Sequence, residues 1–175
     1  MRGVNVNLLP QFCPQCRAPL QPREIDQVER LACSAAGCGF VHWNNPIPVV
    51  AGFVRYGEHY VLARNAAWQA GMFSMITGFL EAGELPDVAI HREIQEELGL
   101  IATQSHFLGH YAMPKFNQLL IAYLVEATGK IQLNAELAEV RLLTAPELLT
   151  HDFGRLKLTA ELARVVHGLH GAVLS

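Results

Sequence analysis

The stretch Gly78–Leu100 reads GFLEAGELPDVAIHREIQEELGL, with five glutamates, one arginine and three glycines. Pro86 suits the first position of a helix, where its missing N–H costs nothing, and Asp87 adds a negative charge favoured near a helix N-terminus. Gly99 suits the left-handed residue just past a helix end. At about 100° per residue, Ile90, Ile94 and Leu98 form an apolar stripe, and Glu93, Glu96 and Glu97 cover the arc beside it. Three carboxylates therefore point the same way, next to the core rather than opposite it.

This arrangement is poor for helix stability. Like charges at i,i+3 and i,i+4 repel by roughly a few tenths of a kcal/mol per pair. Glu96 and Glu97 also stand in the last turn, where the helix dipole disfavours anions. Local rules broken without structural gain point to a functional site. Clustered carboxylates suit a hard divalent cation such as Mg²⁺ or Mn²⁺, often shared with substrate phosphates.

The stretch resembles the Nudix box, G-x5-E-x7-R-E-U-x-E-E-x-G-U, where U is aliphatic. Each fixed place is filled, by Gly78, Glu84, Arg92, Glu93, Ile94, Glu96, Glu97, Gly99 and Leu100. The resemblance is specific for the family and silent on the substrate.

Working outward, 175 residues leave room for one medium domain and a small appendage. Hydrophobic residues make up 51% and charged residues 17%, which fits a well-cored globular chain. A formal charge of −3 provides no global basic field for nucleic acid. There is no signal-like N-terminal pattern and no apolar run long enough to span a bilayer, so the expectation is a soluble, cytoplasmic protein.

Cys13, Cys16, Cys33 and Cys38 follow the spacing C-x2-C-x16-C-x4-C. Two cysteine pairs across a loop are the ligand pattern of a tetrahedral structural zinc site. The second pair is more widely spaced than usual, and Arg17 stands where a glycine often follows the first. So short a segment cannot bury much core, and a metal clip explains how it folds. Residues 1–44 therefore read as a zinc ribbon and residues 45–175 as the main domain, with His42–Pro48 (HWNNPIP) as the linker region.

In the main domain, Val49–Tyr56 and Tyr60–Arg64 read as strands around a turn at Gly57-Glu58-His59. Asn65–Gly71 is a loop carrying Trp68, and Met72–Ile76 reads as a strand leading to Gly78. Phe107–Met113, Gln118–Glu126 and Val140–Leu143 read as further strands, and Pro146–Leu149 as a short helix. Leu156–His170 reads as a longer helix whose buried face is Leu158, Leu162, Val165, Val166 and Leu169. This pattern fits an α/β fold with a mixed sheet flanked by helices, which agrees with the α/β/α sandwich that the Nudix resemblance implies. With the cysteines ahead of it, the chain looks like the zinc-ribbon branch that includes NADH pyrophosphatases and FAD or ADP-ribose pyrophosphatases.

The resemblance implies hydrolysis of a nucleoside diphosphate linked to another group, with a divalent cation held by Glu93, Glu96 and Glu97. It gives Arg92 the role of orienting those carboxylates, Glu84 that of pairing with Arg92, and Gly78 that of letting the backbone come close, its carbonyl being a candidate ligand. A further acid outside the box is expected: Glu139 is the first candidate and Glu136 its close competitor. Which glutamate acts as general base stays open. Aromatic candidates for the nucleobase are Phe53, Trp68, Phe73, Phe79, Tyr111 and Phe116.

NADH pyrophosphatases carry a Ser-Gln-Pro-Trp-Pro-Phe-Pro-type signature after the box, whereas this chain reads HYAMPKFNQLLIAYLVEA. The expected substrate is accordingly FAD, ADP-ribose or a relative, with NADH or an NAD-capped RNA end as alternatives. The non-enzymatic alternative is a nucleotide-sensing module. The family also implies a homodimer, with Trp43, the linker and the last helix as candidate contacts.

Overall fold

The computed structural model describes residues 9–169. The chain divides into two compact units, separated between Pro46 and Ile47.

The smaller unit is a three-stranded antiparallel sheet of β1 (Leu20–Ile25), β2 (Val28–Cys33) and β3 (Val41–His42). Asp26 and Gln27 link β1 to β2, both at positive φ (53° and 64°), as a tight hairpin of right-handed twist requires. Its interior holds Cys13, Leu20 and Cys33, with Ala18, Leu31, Ala35, Cys38 and Phe40 packed around them. That is too little apolar burial to hold such a sheet alone.

The larger unit is built on β4 (Ile47–Tyr56), whose run VVAGFV is buried on both faces, as the centre of a sandwich demands. β8 (Gln118–Thr128) runs parallel to β4 along its whole length. The other edge of β4 is shared, Val49–Gly52 pairing with β6 (Ile76–Phe79) and Val54–Tyr56 with β5 (His59–Asn65). β7 (Ile101–Met113) and β9 (Leu137–Leu143) complete the order β7-β8-β4-β5-β9.

Side-chain alternation along these strands separates two cores. Val50, Val54, Val61, Ala63, Ile121 and Val125 pack against Ile90, Ile94 and Leu98 of α1 (Pro86–Leu98). Val49, Ala51, Phe53, Leu62 and Leu124 face α2 (Ala145–Thr150) and α3 (Lys157–Leu169). The result is a mixed sheet between helices, the expected α/β/α class. Gly52 makes the first packing possible, since a Cβ there would lie 2.9 Å from the Ile90 side chain.

Several expected boundaries move. The strand expected at Met72–Ile76 lies at Ile76–Phe79, and upstream only Ser74 bridges to Ala63. Gly78 therefore sits inside a strand, opposite Val50, rather than after one. His59 opens β5 opposite Tyr56 instead of occupying the turn. The short helix forms with a capping box, Thr144 and Glu147 each satisfying the other's backbone N–H. In α3 the buried residues are Thr159, Leu162, Ala163 and Val166, whereas Val165 is 38% exposed. Thr159 takes part in the buried stripe because its hydroxyl pairs with that of Ser74 at 3.1 Å, and Val165 lies roughly 110° from the middle of that stripe. His170, expected to end this helix, lies outside the described residues.

Candidate active site and cysteine centre

α1 begins at Pro86 without a side-chain cap and ends on Gly99, at φ 67°. Its last carbonyls are satisfied from outside: Leu98 O accepts from Gln132 N at 2.8 Å and Glu97 O from Asn134 N at 3.2 Å. The Asn134 side chain then accepts from Glu136 N at 2.9 Å, an Asx turn leading into β9. The cap of the glutamate-rich helix thus brings a fourth carboxylate to its end.

A cleft of about 330 Å³ lies here. Glu93, Glu96, Glu97 and Glu136 line it, together with Gly78, Arg92, Trp68, Phe79 and Asn65. Glu97 is only 7% exposed. Burial, with the nearby Glu93 and Glu136 carboxylates, pushes its carboxyl up to about 7. Burial also raises Glu93, against the opposing pull of Arg92. Arg92 is the one cation paired with Glu93 and Glu96 among the described residues, so four clustered carboxylates keep an excess of negative charge that a proton or a divalent cation can offset.

Arg92 organises the cleft wall. Its Nε donates to Glu84 Oε1 at 2.9 Å and its Nη2 to Glu84 Oε2 at 3.0 Å, a two-pronged pair. Nη1 reaches Glu93 Oε1 at 2.7 Å and Glu96 Oε2 at 3.3 Å, and Nη2 also reaches the Phe79 carbonyl at 3.2 Å. The hydrogen bond from Arg92 holds the Glu84 carboxyl below the usual carboxylate range, and the same contact raises the guanidinium. Glu84 thus serves as the anchor of Arg92, and Glu93 and Glu96 are oriented through it.

The outlying candidates fare differently. Glu139 is not in the cleft lining. Its Oε1 accepts from Arg64 Nε at 2.6 Å, because Val140 beside it packs on the α1 side and alternation sends Glu139 to the opposite face. Glu136, the competitor, is the acid that reaches the cleft.

Of the aromatic candidates, Phe53 and Phe73 are buried core residues at 0% and 1% exposure, so they offer no surface to a ligand. Tyr111 packs against the α2–α3 core and donates to Leu108 O at 3.4 Å. Phe116 is exposed in a 3-10 turn, outside the cleft lining, with the Lys115 ammonium over its ring. Phe79 reaches the cleft, but its side chain packs with the α2–α3 core. Trp68 lines the cleft and belongs to neither core.

In the smaller unit the Sγ atoms of Cys13, Cys16, Cys33 and Cys38 all lie within 4.8 Å of one another. The Cys13–Cys38 and Cys16–Cys33 separations are 3.7 and 3.3 Å. A tetrahedral zinc with bonds of about 2.3 Å calls for sulfurs about 3.8 Å apart, so the donor set and its spacing fit that ion. The unusual Arg17 adopts the left-handed conformation itself, at φ 64°, and the wider second pair turns through Gly37 at φ 81°.

Residues 41–164 match the NUDIX domain family model. The chain is 28% identical over 140 residues to the NAD-capped RNA hydrolase NudC of Vibrio vulnificus, covering 79% of this chain and 52% of that protein. It is 32% identical over 119 residues to the protein of the same name from Chromobacterium violaceum, covering 68% of this chain and 43% of that one. The chain thus spans about half the length of the curated relatives it matches. A NUDIX hydrolase from Nitrosomonas europaea, known from a crystal structure, superposes with a TM-score of 0.78 over 93% of both chains at 22% identity. The family match covers the sandwich and its glutamate-lined cleft alike, and the chain belongs to the NUDIX domain family.

Proposed function

We propose that this chain is a divalent-metal-dependent pyrophosphohydrolase acting on a nucleoside diphosphate linked to a second group. The observation that carries this reading is the meeting of Glu93, Glu96, Glu97 and Glu136 in one cleft with Gly78. Glu93, Glu96 and Glu97 would hold Mg²⁺ or Mn²⁺, with Glu136 rather than Glu139 as the further acid and Gly78 within the same wall. When bound, such an ion neutralises phosphate oxygens and acidifies a water. Arg92 keeps Glu93 and Glu96 oriented, and Glu84 keeps Arg92 in place. Hydrolysis adds water across the P–O–P link, giving a nucleoside monophosphate and a phosphorylated remainder.

The substrate class is a dinucleotide-type diphosphate such as FAD, ADP-ribose or NAD. The similar proteins are named for NAD-capped RNA, which presents the same linkage, and this favours the capped RNA as the second reading. The four cysteines are a structural zinc ribbon, a use of thiols that suits the reducing cytoplasm. Among the described residues no helix is long and apolar enough to cross a membrane.

A hydrolysis panel of FAD, ADP-ribose, NADH, NAD, diadenosine polyphosphates and NAD-capped RNA, with products separated by chromatography, tests the reading. Magnesium-dependent release of nucleoside monophosphate, abolished in Glu97→Gln with the fold retained, is the expected result. Binding without turnover on the whole panel with either cation would make the chain a nucleotide sensor. Light scattering tests the homodimer expected of the family.

A further inference from the structure

The Asn65–Gly71 loop at the end of β5 carries Trp68 into the cleft, on the α1 face of the sheet. In the plane of the sheet Ala66 N donates to Glu136 O at 2.8 Å. Within the loop Trp68 N donates to Asn65 O and Ala67 N to Asn65 Oδ1, each at 2.9 Å. On the opposite face Arg64 donates twice, through Nη1 to the Trp68 carbonyl at 3.1 Å and through Nε to Glu139 at 2.6 Å. The β5–β9 register shifts at this point, between Arg64 and Asn65, so that Arg64 faces Glu139 while Asn65 faces Leu137. A bulge of this kind re-aims the residues beside it and is common next to active sites.

We propose that Glu139 and Arg64 form a latch that sets Trp68 as the stacking wall for the nucleobase, which makes Glu139 a positioning residue for substrate binding rather than a metal ligand. Glu139 has the geometry for this: the Arg64 guanidinium donates to it and to the backbone carbonyl of the tryptophan itself. As a stabilising surface pair it would be worth little, since the Glu139 side chain is 45% exposed. Its effect is one of direction. With Glu139 removed, Arg64 is free to leave the Trp68 carbonyl, and the loop loses its tie on that face. Trp68 is a suitable wall because a planar indole stacks on any base, and it carries no competing place in the core. The nucleoside 5′-phosphate as ligand rests on the pyrophosphohydrolase reading.

The chain has two tryptophans, Trp43 and Trp68, so in a Trp43→Phe background the fluorescence reports on Trp68 alone. AMP is the probe, with ribose 5-phosphate as the control that lacks a base. Quenching by AMP and not by ribose 5-phosphate is expected, and Trp68→Ala should weaken AMP binding by about 10-fold or more. Glu139→Ala and Arg64→Lys should weaken AMP binding and raise KM with kcat nearly unchanged, and Glu139→Ala should leave Mn²⁺ affinity, read by electron paramagnetic resonance, as in the parent. The Glu139→Ala/Trp68→Ala double variant should bind AMP no worse than Trp68→Ala alone. A fall in Mn²⁺ affinity in Glu139→Ala, additive losses in the double variant, or equal quenching by both probes would each overturn the latch. Turnover with a silent Trp68 would overturn it and leave the pyrophosphohydrolase reading intact. A responding Trp68 in a protein that hydrolyses nothing would do the reverse.

Discussion

The Glu93 carboxylate occupies the space that a side chain at position 78 would need: a Cβ built on Gly78 would lie 2.0 Å from Glu93 Cδ and Oε1. Strand β6 and helix α1 are therefore in contact through a glycine backbone on one side and a carboxylate on the other. The glycine serves the acid directly.

Gly78→Ala should displace Glu93 from the cleft wall while leaving the strand pairing with Val50 in place. The expected loss in kcat/KM is about 100-fold, the scale of a misplaced reacting group. Steady-state kinetics with Mg²⁺ and a thermal melt separate this from unfolding. A variant with full activity would show that Glu93 can move without consequence.

Glu97 makes the metal-free protein sensitive to pH. Its carboxyl is raised from 4.5 to about 7, so the folded state holds the proton more tightly than the unfolded one. The stability this contributes is complete below about pH 4.5 and is lost as the pH rises through 7. Glu97→Gln lacks that loss. In EDTA at pH 8 it should be more stable than the parent by about 1–2 kcal/mol, and at pH 4 the difference should vanish. Urea unfolding at both values is the measurement, and equal midpoints at pH 8 would contradict it. Saturating Mg²⁺ should stabilise the parent and not the variant.

Arg92→Lys keeps the charge and removes the fork. One ammonium cannot serve Glu84, Glu93, Glu96 and the Phe79 carbonyl together. The activity should fall by about 10- to 100-fold with the fold retained, the range seen when groups orienting metal ligands are lost. An unchanged kcat/KM would mean that the carboxylates keep their positions unaided.

The small unit should depend on metal. Native mass spectrometry should find a zinc ion, and Cys33→Ala should lose it and open the segment before Ile47 to protease, because its apolar interior is so limited. The melting transition of the larger unit should persist. A zinc-free protein with the same protease resistance would refute the ribbon.

Short-range chemistry made much of this legible from the residues alone. The helix Pro86–Leu98, its glycine end and the arc of Glu93, Glu96 and Glu97 follow from a 3.6-residue period and from capping preferences that act within a few positions. The cysteine cluster follows from spacing, because two short loops can hardly place four thiols elsewhere.

Long-range pairing decided the rest. Whether Glu136 or Glu139 reaches the cleft depends on the bulge between β5 and β9 and on Asn134 capping α1. Neither is visible in the local pattern ELAEV. Phe53 and Trp68 are equivalent candidates in one dimension, and only packing against α2 and α3 buries Phe53. A strand's two faces are chemically equivalent until a neighbour covers one of them. The carboxylates of the box were therefore readable in one dimension. Their fourth partner and the aromatic wall belong to contacts between distant segments, Asn134 with Glu97, Ala66 with Glu136 and Arg64 with Glu139.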